Sequence, residues 1–173
     1  KNDCWYIFIS WSRFLDDKLS VAIILGYAKY LTDNQIVPKR KVFAHFTIYE
    51  EVGHGAATVD ERIEEFVTVD MGCIGLDLAG SEYKVSIAAK DSGGPYDYDM
   101  ITKLINTAKE KNISYAVDIY PFYSSDATAS LRAGNDIKAA LIGTGVAASH
   151  GMERTHKHGL ENTFNLILGY LNL

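Results

Sequence analysis

The apolar residues change period several times along the chain. Val21, Ile24, Leu25, Ala28 and Leu31 recur at helical spacing, with Asp16 and Asp17 in the approach to that helix, where the macrodipole favours acidic side chains. Residues 42–49 then alternate: Val42, Ala44, Phe46 and Ile48 on one face, Phe43, His45, Thr47 and Tyr49 on the other. This predicts a strand covered at least partly on both sides. Short β-rich runs follow at 66–71, 83–89, 114–120 and 139–142. Asp97 is placed to cap a helix whose buried stripe is Ile101, Leu104, Ile105 and Ala108, ending near Asn112. A second stripe of Leu160, Phe164, Ile167, Leu168 and Leu171 closes the chain. Strands alternating with helices predict an α/β fold, a mixed and largely parallel sheet with helices on both faces. No repeat, low-complexity tract or linker breaks the pattern, so one domain is expected over residues 1–173.

Composition narrows the function classes. The 173 residues are 47% hydrophobic and 23% charged with 3 Pro, a globular balance. Lys and Arg number 17 against 22 Asp and Glu, a net charge of -5, which offers no electrostatic footprint for nucleic acid. The longest apolar stretch, Val21 to Leu25, is too short to span a membrane. The N-terminal residues lack the parts of a secretory signal, and Cys4 and Cys73 cannot make a disulfide framework, which together suggest reduced thiols in a cytoplasmic protein. The chain opens at Lys1 without a starting Met, as if inside a strand, and the expectation is a piece of a longer chain.

Acidic residues gather where strands are expected to end, the usual place for ligands in open α/β sheets. Glu50-Glu51 follows Tyr49, Asp70 closes Phe-Val-Thr-Val-Asp, Asp16-Asp17 precedes the first helix, and His156 and His158 precede the last. Singly, each is an ordinary solvated face, turn residue or polar loop. Together, three carboxylate sites and an imidazole form a donor set for a pair of divalent cations. Two ions roughly 3.5–4 Å apart need a shared carboxylate between them.

The segments Ser12-Arg-Phe-Leu-Asp-Asp-Lys18, Thr47-Ile-Tyr-Glu-Glu-Val-Gly53 with His54-Gly55-Ala56, Val69-Asp-Met-Gly72 and Glu153-Arg-Thr-His156 resemble the M42 family of metallo-aminopeptidases, in order and in spacing. The resemblance covers nearly the whole chain. It implies a zinc-peptidase catalytic domain, of which this chain would be the C-terminal portion, acting on peptides with two divalent ions (Zn²⁺, Co²⁺ or Mn²⁺). Asp16 would bridge the ions. Asp17, joined to it in the family by a cis peptide bond, would orient a ligand from behind. Glu51 and His156 would bind one ion and Asp70 the other, and Glu50 would be the general base and acid. A further His from an early His-x-Asp motif, upstream of an inserted β-rich domain, has no counterpart among the five histidines, none of which precedes Asp16. Weak metal binding at the Asp16–Asp70 position and little activity are therefore expected of this chain.

Tyr123-Ser-Ser-Asp-Ala127 and Gly143-Thr-Gly145 resemble the family's substrate-side loops, so Asp126 and Gly145 are candidate substrate-binding residues. They read equally as a helix start capped by Ser124 or Ser125 and as a tight turn. Arg154 is a third candidate, either holding a site carboxylate or pairing with Glu153. Family members commonly assemble into cages, so a homo-oligomer is expected of the longer protein. Two other readings compete with this one: a non-catalytic domain of the same fold, against which the extra acid Glu50 argues, and a glycoside hydrolase. A glycoside hydrolase would need a carboxylate pair flanking a sugar groove rather than a carboxylate–imidazole cage.

Overall fold

The computed structural model describes residues 9–171. In chain order the elements are β1 (Ile9–Ser12), α1 (Leu15–Asp33), β2 (Glu65–Cys73), β3 (Val85–Asp91), β4 (Gly94–Pro95), α2 (Tyr98–Glu110), β5 (Tyr115–Ile119), α3 (Asp126–Arg132), β6 (Lys138–Val146), β7 (Glu153–His156) and α4 (Lys157–Tyr170). The main sheet is mixed, and parallel pairing dominates it. Nine residues of β2 run parallel to β6, from Glu65↔Lys138 to Cys73↔Val146, and five of β3 run parallel to β5. β3 joins these pairs by lying antiparallel to β6 over Val85–Ala88, and β4 folds back on Lys90 and Asp91. A separate ribbon pairs β1 antiparallel to β7, with Ser12 opposite Glu153. Because β2 and β6 run the same way, Asp70 and the segment after Val146 emerge at one end of the sheet.

The core lies where strand residues meet helices. Val85, Ile87 and Ile142 of the sheet and Leu104 of α2 are almost fully buried, with Leu166 of α4 beside them. α4 packs on both α1 and α2, with the ring of Phe164 edge-on to Tyr30 of α1. α3 packs on β2 and β6. The Asp97 cap forms as the sequence predicts, its side chain accepting from the Met100 amide at 2.9 Å. Ile101, Leu104 and Ala108 are buried below it, and Ile105 packs against the core from its margin.

Two expectations are corrected. The buried line of α4 is Gly159, Thr163, Leu166, Gly169 and Tyr170, while Leu160, Phe164, Ile167, Leu168 and Leu171 are only half-buried beside it. The reason is close approach: a Cβ on Gly169 would fall 2.6 Å from Thr107 Cγ2 of α2. Small residues form the contact line and the large apolar ones fill the flanks. Thr163 also bonds Thr144 of β6 at 2.9 Å between buried hydroxyls, a pairing that no apolar stripe announces.

The expected strand over residues 42–49 does not form. That segment is irregular and ends in one turn of 3-10 helix at Glu50–Val52. Val42, Phe43, Phe46, Ile48 and Tyr49 are all exposed, Ile48 by 88%. A strand exists only in a ladder, and no described strand pairs with this one. Alternation shows what the segment could bury against without supplying the partner.

Urea unfolding separates these roles. Leu166→Ala is expected to cost about 2–5 kcal/mol by cavity formation. Asp97→Ala should cost about 1 kcal/mol by removing the cap. Phe46→Ser should change stability by less than about 0.5 kcal/mol, as an exposed site does. A loss at Phe46 as large as that at Leu166 would restore the strand as part of the core.

Candidate metal centre

Glu153 organises the site. It is 2% exposed and lies on the inward face of β7, where Glu153 and Thr155 are buried while Arg154 and His156 are not. Its Oε2 accepts from the amides of Leu15 and Asp16, the latter at 3.1 Å, and its Oε1 accepts from the His150 amide at 3.1 Å. One carboxylate thus ties the start of α1 to the turn before β7. Asp16 and Asp17 have non-helical backbone angles at that start, and the peptide bond between them is cis, as the resemblance implies. Phe14, Ala148 and His150 have left-handed backbones, sparsely populated for side-chain-bearing residues and held by the surrounding structure.

Two groups of side chains meet around Asp16. In one, ligand atoms of Asp16, Glu51 and His150 lie within 4.8 Å of one another; in the other, those of Asp16, Asp17 and Asp70 do. His150 Nε2 is 3.1 Å from Glu51 Oε2 and 3.3 Å from Asp16 Oδ2. Ser149 Oγ donates to Asp16 Oδ2 at 3.0 Å. Asp70 lies near the carboxyl end of β2, its Oδ1 accepting from the Met71 amide at 2.6 Å, and Ser20 of α1 donates to its backbone carbonyl.

Crowding sets the electrostatics. Burial, with the Glu51 charge adding to it, raises the Asp16 carboxyl above the usual range. Asp17 is pushed up to about 8, first by burial and then by Asp16 and Glu50, with a Ser20 hydrogen bond opposing. Burial and the charges of Asp126, Glu51 and Asp16 push Glu50 up to about 7. Asp70 is raised by burial and by Asp17, Glu50 and Asp16. No Lys or Arg pairs with Asp16 or Asp70 among the described residues, although both are nine-tenths buried. Oxygen donors with one imidazole, short of positive charge, fit a divalent cation.

Among the expected site residues, Asp16, Asp17, Glu51 and Asp70 fall into these groups, and Glu50 lies close enough to feel them. His156 does not. It is the last residue of β7, its Nδ1 accepts from the His158 amide at 3.1 Å, and its ring packs on Tyr83 with centroids 4.5 Å apart. His150, six residues earlier, lies in the Asp16–Glu51 group instead; its only sequence signal is proximity to the Glu-Arg-Thr-His segment.

Asp126 is buried and accepts from Thr47 Oγ1 at 2.6 Å, which places it beside the Glu50 turn. Ser125 is the N-cap of α3 in a capping box with Thr128. Gly145 lies within β6, not in a loop or tight turn. A Cβ there would fall 2.0 Å from the Ser81 carbonyl oxygen, so its glycine answers to close packing. Arg154 pairs with Glu82, its Nε donating at 2.8 Å, and not with Glu153, whose carboxylate is occupied by amides.

Comparison with known proteins sets this geometry in context. The chain is 42% identical over 163 residues to the "Putative aminopeptidase YhfE" of Bacillus subtilis (strain 168), an alignment covering 92% of this chain and 46% of that protein. Its fold matches that of the Pyrococcus horikoshii TET1 peptidase with TM-score 0.82 at 23% identity, over 96% of this chain and 51% of that one. It also matches a TET aminopeptidase from a marine sediment archaeon, Thaumarchaeota archaeon SCGC AB-539-E09, with TM-score 0.81 at 18% identity, over 95% and 49%. The chain therefore spans about half the length of these relatives. Residues 8–166, the stretch that holds every side chain of the centre, match the model of the M42 glutamyl aminopeptidases, and the chain belongs to that family.

Proposed function

We propose that this chain carries the acidic half of a two-metal aminopeptidase centre, which in the longer protein removes N-terminal residues from peptides. The observation that carries the reading is that Asp16 belongs to both ligand groups, the position of a carboxylate shared between two cations. Two divalent ions (Zn²⁺, Co²⁺ or Mn²⁺) would polarise the peptide carbonyl and acidify the attacking water.

The chain's own residues divide the remaining work. Glu51 and His150 would hold one ion with Asp16, and Asp70 the other, with Asp17 beside it. Glu50, adjacent to Glu51 on the same turn, is the carboxylate left to accept a proton from the water and return it to the leaving amine. Asp126, bonded to Thr47, forms the substrate side of that turn. The Asp16–Asp70 position has no imidazole among the described residues. Homo-oligomeric assembly of the longer protein is proposed by extension from the Pyrococcus horikoshii peptidase, which assembles into a tetrahedron or an octahedral shell.

Titration calorimetry with Mn²⁺ or Zn²⁺ tests the ligand assignment. Asp16→Asn is expected to abolish binding at both positions, and His150→Ala to weaken one by at least about tenfold. His156→Ala should leave both within about twofold; a loss there with none at His150 would return the ligand role to His156. In the longer protein, assayed on amino-acid p-nitroanilides, Glu50→Gln should lower turnover at least about a hundredfold with metal content unchanged. Metal loss in that variant would make Glu50 a ligand.

A further inference from the structure

The turn that carries Glu50 and Glu51 has little holding it to the sheet. Among the described residues no strand pairs with residues 42–49, and Phe46, Ile48, Tyr49 and Val52 are exposed. Within itself the turn is closed. The Gly53 amide donates to the Glu50 carbonyl at 2.8 Å and the His54 amide to the Tyr49 carbonyl at 3.2 Å, and the Tyr49 and His54 rings stack with centroids 4.9 Å apart. Such contacts fix the shape of the turn but not its place beside Asp16.

That place is set from α3. Thr47, three residues before Glu50, donates its hydroxyl to Asp126 Oδ2 at 2.6 Å. Gly55, four residues after Glu51, lies against the same carboxylate, so closely that a Cβ there would stand 2.7 Å from Oδ2 and overlap the group. Both ends of the turn therefore meet one side chain, which is 5% exposed. Asp126 itself starts α3 on a firm base. The Tyr96 hydroxyl lies 2.8 Å from Oγ of Ser125, the N-cap, and donates to Asp91 Oδ2 at 2.6 Å. Thr128 Oγ1 donates to the same Asp91 oxygen at 2.9 Å, and Asp91 is fully buried.

We propose that Asp126 is a positioning residue: its carboxylate clamps the two ends of the turn, through Thr47 and Gly55, and so sets Glu51 beside Asp16 and His150. The inference rests on the metal reading above. It gives Asp126 a duty toward the metal centre rather than contact with the peptide. With Oδ2 engaged by Thr47 and Gly55 packed on the carboxylate, little of this buried side chain is left to meet a substrate. The clamp also accounts for glycine at position 55, since a side chain there would push the carboxylate away from the Thr47 hydroxyl.

Titration calorimetry of the 173-residue chain with Mn²⁺ tests this, with the Asp16–Asp70 position as the internal control. Thr47→Val keeps the side-chain shape and loses the hydroxyl. It is expected to lower affinity at the Asp16–Glu51–His150 position at least about fivefold and to leave the other within about twofold. Thr47→Ser should restore the lost affinity. Asp126→Ala should lower the same position at least as far, and the double variant should lose no more than Asp126→Ala alone, because both changes break one contact. Additive losses, equal losses at the two positions, or no loss in Thr47→Val while Asp16→Asn still abolishes binding would each overturn the clamp and leave the metal reading standing. Binding retained in Asp16→Asn overturns that reading, and with it the clamp's part in placing a ligand.

Discussion

Mutual repulsion among buried carboxylates is the constraint around which this structure is arranged. Asp16, Asp17, Glu50, Glu51 and Asp70 crowd one end of the sheet, and burial raises four of them above the ordinary carboxyl range. Such a cluster does not hold itself together. Its geometry is enforced by neutral donors: Ser149 on Asp16, the Met71 amide on Asp70, and the Ser20 hydroxyl on the Asp70 backbone. Glu153 adds another acid to the neighbourhood yet stabilises it, because both of its oxygens face backbone amides rather than other carboxylates. The fold thus holds a crowded set of carboxyls in place with dipoles, an arrangement that a divalent cation could compensate directly.

The sheet's construction serves that end. β2 and β6 share a direction, so the residues at their carboxyl ends converge, and β6 can lie under the neighbouring loop only because Gly145 brings no side chain against Ser81. α4 reaches α2 through Gly169 and β6 through the Thr144–Thr163 hydroxyl pair. These contacts are between small groups at short range. They fix the distance between layers more sharply than large apolar side chains would.

Much of this was legible in the sequence where the signal is local. The Asp97 cap, the α2 stripe and the four β-rich runs from 66 to 142 are carried by neighbours a few residues apart, and Asp16-Asp17 and Asp70 were identifiable by their places before a helix and near a strand end, whereas Glu50-Glu51 was singled out by a strand that does not form. Signals that depend on a partner far along the chain were not legible. Alternation over 42–49 is real, but no strand among the described residues lies beside it. The two imidazoles show the same limit at the site. His156 closes a recognisable motif, yet the period of two along β7 turns it away from the buried face that Glu153 occupies. His150, in an irregular turn with no periodicity, reaches the carboxylates. Spacing alone does not record which way a side chain points.

The tie between Glu153 and the Leu15–Asp16 amides spans 137 and 138 residues, and the β1–β7 ribbon closes the same long loop. Almost the entire polypeptide must be gathered before these bonds can form, and the entropy of that closure falls on the centre itself. The β2–β6 pairing closes a loop about half as long, with Glu65 opposite Lys138, so chain entropy favours it over the acidic pocket by only about 0.6 kcal/mol.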